Sequence, residues 1–401
     1  MITSKRLLVA ALTSATAIAI AGCASSSSGS SSTPSPHDAS SGAYHWGVDA
    51  ELSGPISYYG ASIANGVAAY VSSVNATGGI NGHKIVLTKL DNAGNPSQSS
   101  ADATELITTD SVDAIFGQTL NTSCDAAEPV VARYQVPMAC FSVGIQNPYV
   151  FNLGYDNALA GDAMIESAQK ITGKSGLSIA LMYPTTLTPT ELAKSIQAAA
   201  PAKGVTIATA QSYNLTATDL SVQIARVVAA KPAAVLFSGT GPSLVSLVKG
   251  IRAAGLRAPV VWVDGTGNIG FLATSTDQGI YALNDYEYIP SAGATGAAAQ
   301  FITAMGTSLG KDPTAPVING GEAVDGYITA AAFGQALKSC GYPCSGAQLD
   351  GAVEKVSLSL DGLEPSFAYT AANHYPYLNW YLYHVTGPAA TLLGTYPMSS
   401  S

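Results

Sequence analysis

From Tyr44 onward, short apolar runs alternate with segments whose apolar residues recur every three or four positions. The runs Tyr44–Ala50, Lys84–Leu90, Val112–Gly117 and Pro137–Phe141 read as strands. Between them Ile63, Val67, Tyr70, Val71 and Val74 mark a helix that Gly78-Gly79 stops, and Ser99–Thr108 and Asp125–Tyr134 read as helices. A second series follows, with strands Leu177–Met182, Val205–Ala210, Ala233–Ser238 and Val260–Val263. Helices Ala158–Ile171, Pro189–Ala202, Asp219–Ala230 and Ser243–Ala254 accompany them. Strands separated by ~10–15-residue helical patterns predict βαβ units and parallel sheets. Two such series, broken near Gly154–Asn157, predict an α/β protein of two doubly wound lobes. Helices Thr295–Leu309 and Glu322–Lys338 lack interleaved strands, and the C-terminus offers strand-like Pro365–Tyr369, Tyr377–Val385 and Thr391–Tyr396. A chain that returns to the first lobe and finishes in the second fits this order. The expected division is 44–156 with 286–360, against 157–285 with 361–396, joined by crossover hinge segments.

The segment before Tyr44 has a different character. Lys5 and Arg6 precede the apolar run Leu7–Ile20, which ends in Ala21-Gly22-Cys23. A basic start, an apolar stretch and small residues before a cut site make a secretory signal. A Cys directly after Ala-Gly resembles a bacterial lipoprotein signal, which implies cleavage after residue 22, lipidation of Cys23 and a place outside the cytoplasmic membrane. The Ser/Gly/Pro-rich stretch Ala24–Ala43 is too poor in apolar side chains to fold and reads as a flexible tether. Past Ile20 no uncharged apolar segment approaches the ~20 residues of a membrane span.

The chain has 401 residues, is 47% hydrophobic and only 11% charged, and carries a formal charge of −9. An acidic chain without a Lys/Arg cluster argues against nucleic acid. Five Cys are present, and setting Cys23 aside leaves an even four in an oxidising compartment. Of the three connectivities, Cys340–Cys344 across Gly341-Tyr342-Pro343 and Cys124–Cys140 are favoured. The first closes a short turn, and the second links a helix start to a nearby strand. Zinc is the competing use, but the spacings fit no common site and no His lies near.

Several segments carry a family likeness. Leu52-Ser53-Gly54-Pro55, Tyr58-Tyr59-Gly60 and Asn75-Ala76-Thr77-Gly78-Gly79-Ile80-Asn81-Gly82 resemble the opening of the branched-chain amino-acid-binding proteins. Asp91-Asn92 with Pro96, Val136-Pro137, Asn147-Pro148, Lys231-Pro232-Ala233-Ala234-Val235, Ala253-Ala254-Gly255-Leu256 and Ala323-Val324-Asp325-Gly326 follow in the family's order. The likeness runs from about Val48 to Val385. It implies a type I periplasmic-binding fold and an extracytoplasmic receptor of an ABC importer, partnered by a membrane permease. Such a receptor closes two lobes over a small solute and does no covalent chemistry on it.

The resemblance also implies a site. The turn that holds a ligand carboxylate falls on Asn121, Thr122 and Ser123, where hydroxyls and a helix N-terminus supply donors, though the same residues serve as simple caps. Gln146 stands where a second turn usually offers Thr. Thr188 aligns with a Tyr that usually stacks over the ligand, and Tyr183 offers an alternative ring. Asp264, after a lobe-two strand, stands where an acid usually meets the ligand ammonium, or else caps a short helix. Tyr59 and Trp46 are aromatic candidates for the pocket wall.

Other motifs carry less. Gly265-Thr266-Gly267-Asn268-Ile269-Gly270 spells G-x-G-x-x-G with Asp285 downstream, but it falls late in a Gly-rich chain. No G-x-S-x-G elbow occurs, and His37, His45, His83, His374 and His384 have no metal-ligand spacing. No metal or cofactor is implied. A ligand sensor of the same fold is the alternative function, and a secreted hydrolase the remote one.

Overall fold

The computed structural model describes residues 42–145, 147–263, 279–289, 293–310, 321–386 and 389–398. β1 (Tyr44–Ala50) is buried on both faces, with Tyr44, Trp46, Val48 and Ala50 wholly enclosed. A strand covered on both sides belongs inside a parallel sheet flanked by helices. α1 (Ser57–Ala76), β2 (Ile85–Asp91), α2 (Pro96–Thr108), β3 (Ala114–Gly117), α3 (Asn121–Tyr134), β4 (Met138–Cys140) and β5 (Val150–Asn152) follow. Among the described residues these strands form one parallel sheet in the order β2-β1-β3-β4-β5. α1 ends where the glycines predict, with the Gly79 N–H donating to the Val74 carbonyl at 3.0 Å.

The chain then crosses into a second sheet. α4 (Asn157–Thr172), β6 (Leu177–Pro184), α5 (Leu187–Ala199), β7 (Val205–Tyr213), α6 (Ser221–Ala230), β8 (Ala234–Ser238), α7 (Gly241–Ala253), β9 (Val260–Val263) and β10 (Ile280–Asn284) build its parallel part. α8 (Gly296–Leu309), α9 (Gly321–Cys340), α10 (Gly346–Val353), β11 (Ser357–Leu360) and β12 (Glu364–Ala368) return to the first lobe. β13 (Asn379–Thr386) and β14 (Ala389–Pro397) then extend the second sheet antiparallel, giving the order β14-β13-β10-β9-β8-β6-β7. The described residues thus form two α/β lobes joined by three crossings, all within one compact unit.

One boundary expectation is corrected. The return to lobe two falls after Tyr377, not at 361, because β12 pairs with β11 and Phe367, Tyr369 and Tyr377 pack in the first core. The Phe367 ring meets those of Tyr369 and Tyr377 edge-on at 5.1 and 5.3 Å. Trp46 is also a core residue rather than a pocket wall, stacked on Tyr70 and tilted against Phe116 at 4.9 Å.

Two features fix the first lobe. α1 and α9 cross at Gly66 and Gly326, where an added Cβ would stand 2.1 Å from the Ala323 carbonyl oxygen and 2.5 Å from that of Ile63. Only residues without a side chain allow backbones this close. The disulfides Cys124–Cys140 and Cys340–Cys344 are formed, with Cα separations of 6.0 and 5.8 Å. The first ties α3 to β4, so the start of the helix is held against the sheet edge.

Candidate functional site

In open parallel sheets the crevice lies beyond the C-terminal strand ends, where helices begin. Here β1 ends beneath a polar network that sets the crevice floor. The Asp49 carboxylate accepts from Gln118 at 2.7 Å, from Asn92 at 2.9 Å and from the Ser99 hydroxyl. Burial pushes the Asp49 carboxyl up to about 7 against these hydrogen bonds. Next to it, Glu51 accepts from the Thr119 hydroxyl at 2.7 Å and from its N–H at 3.1 Å. Glu51 therefore positions the turn that leads into α3. Asp91 accepts from the backbone N–H groups of Leu52, Ser53 and Ala93, and hydrogen bonding, that of Ser53 foremost, holds its carboxyl below the usual range.

A cavity of about 140 Å³ lies between the lobes. Lobe one supplies Tyr59, Thr119, Leu120, Asn121, Ser142 and Asn152, together with Glu322 from the first turn of α9. Lobe two supplies Asn157, Thr186, Thr188, Pro189, Leu215 and Ser238, and Tyr155 stands in the first crossing. The lobes touch across it: the Thr188 hydroxyl donates to the Asn121 carboxamide oxygen at 2.8 Å. The Asn121 amide nitrogen in turn donates to the Phe141 carbonyl at 3.3 Å.

The third crossing braces the cavity wall. Tyr375 accepts from the Gly144 N–H at 2.9 Å, which pins the turn after Ser142. Tyr369 donates to the Asn152 carbonyl at 2.6 Å, and His374 stacks on Phe151 at 4.2 Å. Asn152 has partners at both ends of its carboxamide, donating to the Ser142 carbonyl and accepting from the Gly154 N–H at 2.8 Å. Asn157 does not: its side-chain oxygen is buried at the cavity with no hydrogen-bond partner.

The cavity lining carries both donors and acceptors. α3 and α5 begin at the cavity, and neither Leu120 nor Thr186 caps the first turn with its side chain. Uncapped N–H groups and the positive helix end attract a carboxylate. The same lining carries acceptors, the Glu322 carboxylate and the Asn157 oxygen. No Lys, Arg or His lines the cavity among the described residues.

The expected site residues fare differently. Tyr59, Asn121 and Thr188 line the cavity. Thr122 is exposed on α3 and Ser123 is buried in the helix with its hydroxyl unpartnered, so neither faces the cavity. Helical rotation explains this, since successive positions turn to different sides. Tyr183 packs against the second core rather than the interlobe cavity. Gln146, Asp264, Cys23 and the glycines 265–270 lie outside the described residues. Asp285 is buried and faces Asp325 and Glu364, a place unlike a ribose contact. Glu322, Asn152, Asn157 and Ser238 were not foreseen. Glu322 had one available signal, an acid immediately ahead of the Ala323-Val324-Asp325-Gly326 block.

Comparison with known proteins agrees with this geometry. The profile of the periplasmic binding protein family matches residues 45–390, and the chain belongs to that family. Proteins of that family are extracytoplasmic solute-binding proteins and not enzymes. The Leu/Ile/Val-binding protein BraC3 of Rhizobium johnstonii is 39% identical over 61 residues, 15% of this chain and 17% of that one. The leucine-specific-binding protein of Salmonella typhimurium is 30% identical over 104 residues, 26% of this chain and 27% of its own. The chain therefore aligns with less than a third of the length of these two relatives. The fold match is broader. The substrate-binding protein LivJ of Streptococcus pneumoniae, solved with isoleucine, superposes with TM-score 0.71 at 18% identity, over 88% of this chain and 99% of that one. A Rhodopseudomonas palustris solute-binding protein, solved with 3,4-dihydroxybenzoic acid, gives TM-score 0.74 at 19% identity, over 89% and 98%.

Proposed function

We propose that this protein is the lipid-anchored receptor of an ABC importer, capturing an amino acid or similar small amphipathic solute by closing its two lobes. The observation that carries this reading is the interlobe cavity, whose lining combines uncapped helix starts with the Glu322 carboxylate and the Asn157 oxygen. An α-carboxylate suits the start of α3, where a helix N-terminus meets an anion. An ammonium suits Glu322, because a charge removed from water needs an opposite charge close by. Asp264, one residue past β9, is a second candidate for the ammonium. Thr188, where the related family has a stacking ring, instead latches the lobes through Asn121. Closure would present a joined surface to the permease, and Cys23 would hold the receptor at the membrane.

The reading is tested by a thermal-shift screen of amino acids, amides and amine-free aromatic acids. A solute at about 100 times its dissociation constant adds ~2.7 kcal/mol of stability. Free amino acids are expected to raise the melting temperature, and amine-free acids such as 3,4-dihydroxybenzoic acid are expected to do little. Stabilisation by the aromatic acids alone would remove the ammonium role of Glu322.

A further inference from the structure

The interlobe cavity does not end at Tyr59. A second chamber of about 580 Å³ lies beside it, and Ile56, Tyr59 and Leu215 line both. These three residues stand between the two chambers. The inner chamber is small: a dry cavity of about 150 Å³ takes up benzene and little more. It is also where the acceptors and uncapped helix ends gather.

The outer chamber has the opposite character. Pro55, Tyr58, Leu220 and Pro242 give it apolar walls, and hydroxyls such as those of Thr216 and Thr218 edge them. No charged side chain lines it among the described residues. The helix that starts there, α7, satisfies its own first turn: Thr240 accepts from the Ser243 N–H at 3.3 Å, and their hydroxyls meet at 2.9 Å. A capped helix end with no charge beside it offers little to an anion. Tyr58, at 41% exposure, stands edge-on to Tyr59 with ring centroids 5.9 Å apart, leaving aromatic surface uncovered at the chamber wall.

We propose that the cleft is a two-chamber site: the inner chamber takes a zwitterionic amino-acid head, and the outer takes a long uncharged, aromatic or branched tail threaded past Ile56, Tyr59 and Leu215. This rests on the amino-acid reading above and narrows it. The cargo is larger than a free aliphatic amino acid, with its apolar end toward the mouth of the cleft.

The test is a side-chain ladder with a constant head: norvaline, phenylalanine, homophenylalanine and 4-phenylphenylalanine, each titrated calorimetrically into the full mature protein. Affinity is expected to rise by at least about tenfold from norvaline to the best long tail, as a phenyl ring leaves water. Ser246→Trp and Thr216→Trp add bulk from exposed positions that line the outer chamber and not the inner one. Either is expected to abolish the gain for the long tails and to leave norvaline unchanged. An affinity that is level or falls beyond norvaline, or a gain that survives both tryptophans, would show the outer chamber to be a water-filled mouth and overturn the inference alone. Failure of every amino acid to bind would overturn the amino-acid reading, and the inference with it.

Discussion

Glu322→Gln is expected to weaken binding of amine-bearing solutes by at least ~30-fold, since truncating one partner of a buried charge pair costs about 2–5 kcal/mol. Solutes without an amine should lose far less. The empty protein should melt no lower, because Glu322 is one of the carboxylates whose charge opposes ionisation of Asp325. That combination separates a ligand-binding acid from a structural one: a structural acid would lower the melting temperature and affect all solutes alike. Calorimetric titration of both solute types, with thermal melting of the free variant, reads all three quantities. Equal affinity for wild type and variant would remove Glu322 from the site.

The second large effect is on stability against pH, and it arises at the crossings. Glu364, fully buried, accepts from the Ser366 N–H at 2.9 Å and lies 3.4 Å from the Tyr381 hydroxyl. Burial, reinforced by the charges of Asp285 and Glu287, pushes its carboxyl up to about 9. Asp325 is also raised, first by burial and then by Asp285, Glu322 and Glu364, although the Tyr377 hydroxyl donates to it at 2.5 Å. A carboxyl raised by folding is protonated in the folded state while the unfolded chain has already ionised. Its contribution is therefore complete below the ordinary carboxylate range and is lost as pH rises toward about 9. Asp49 and Asp350, each pushed up to about 7 chiefly by burial, act in the same direction. The melting temperature is expected to fall from pH 5 to pH 9, more steeply below about pH 7 where Asp49 and Asp350 also take part, with each such group contributing up to ~1.4 kcal/mol per pH unit. Glu364→Gln should flatten that slope and raise the melting temperature at pH 8. A flat wild-type profile would show that these carboxyls are not held neutral by the fold.

The architecture was legible because each lobe repeats one physical pattern. Strands such as Tyr44–Ala50 and Val260–Val263 are short apolar runs, and helices such as α1 carry apolar residues at helical spacing with a glycine stop. What escaped notice was short or drew its stability from partners. β5 has only Val150–Asn152 and is a strand because β4 lies beside it. β11 has a half-exposed face and among the described residues pairs only with β12, so the segment around 361 is the turn of a hairpin rather than a lobe boundary. α10 did carry a readable signal, the Ser345 and Gln348 capping box. α5 starts two residues before Pro189, since proline in a first turn sacrifices no helical hydrogen bond.

The site was legible only in part, for a related reason. Asn121 and Thr188 sit beside helix starts that follow strands, where sequence order alone places them at a sheet edge. Thr122 and Ser123, adjacent in sequence to Asn121, turn away from the cavity with the helix. Asn152, Asn157 and Glu322 become neighbours only because the chain crosses between lobes and returns. No local pattern encodes that meeting.

The most direct measurement is a crystal structure with the amino acid that stabilises the protein most. The account predicts the unaltered molecule between the lobes, its carboxylate at the start of α3 and its ammonium within hydrogen-bond reach of Glu322 and Asn157. A solute bound outside the interlobe cavity, or recovered from the crystals as a chemically different product, would contradict it.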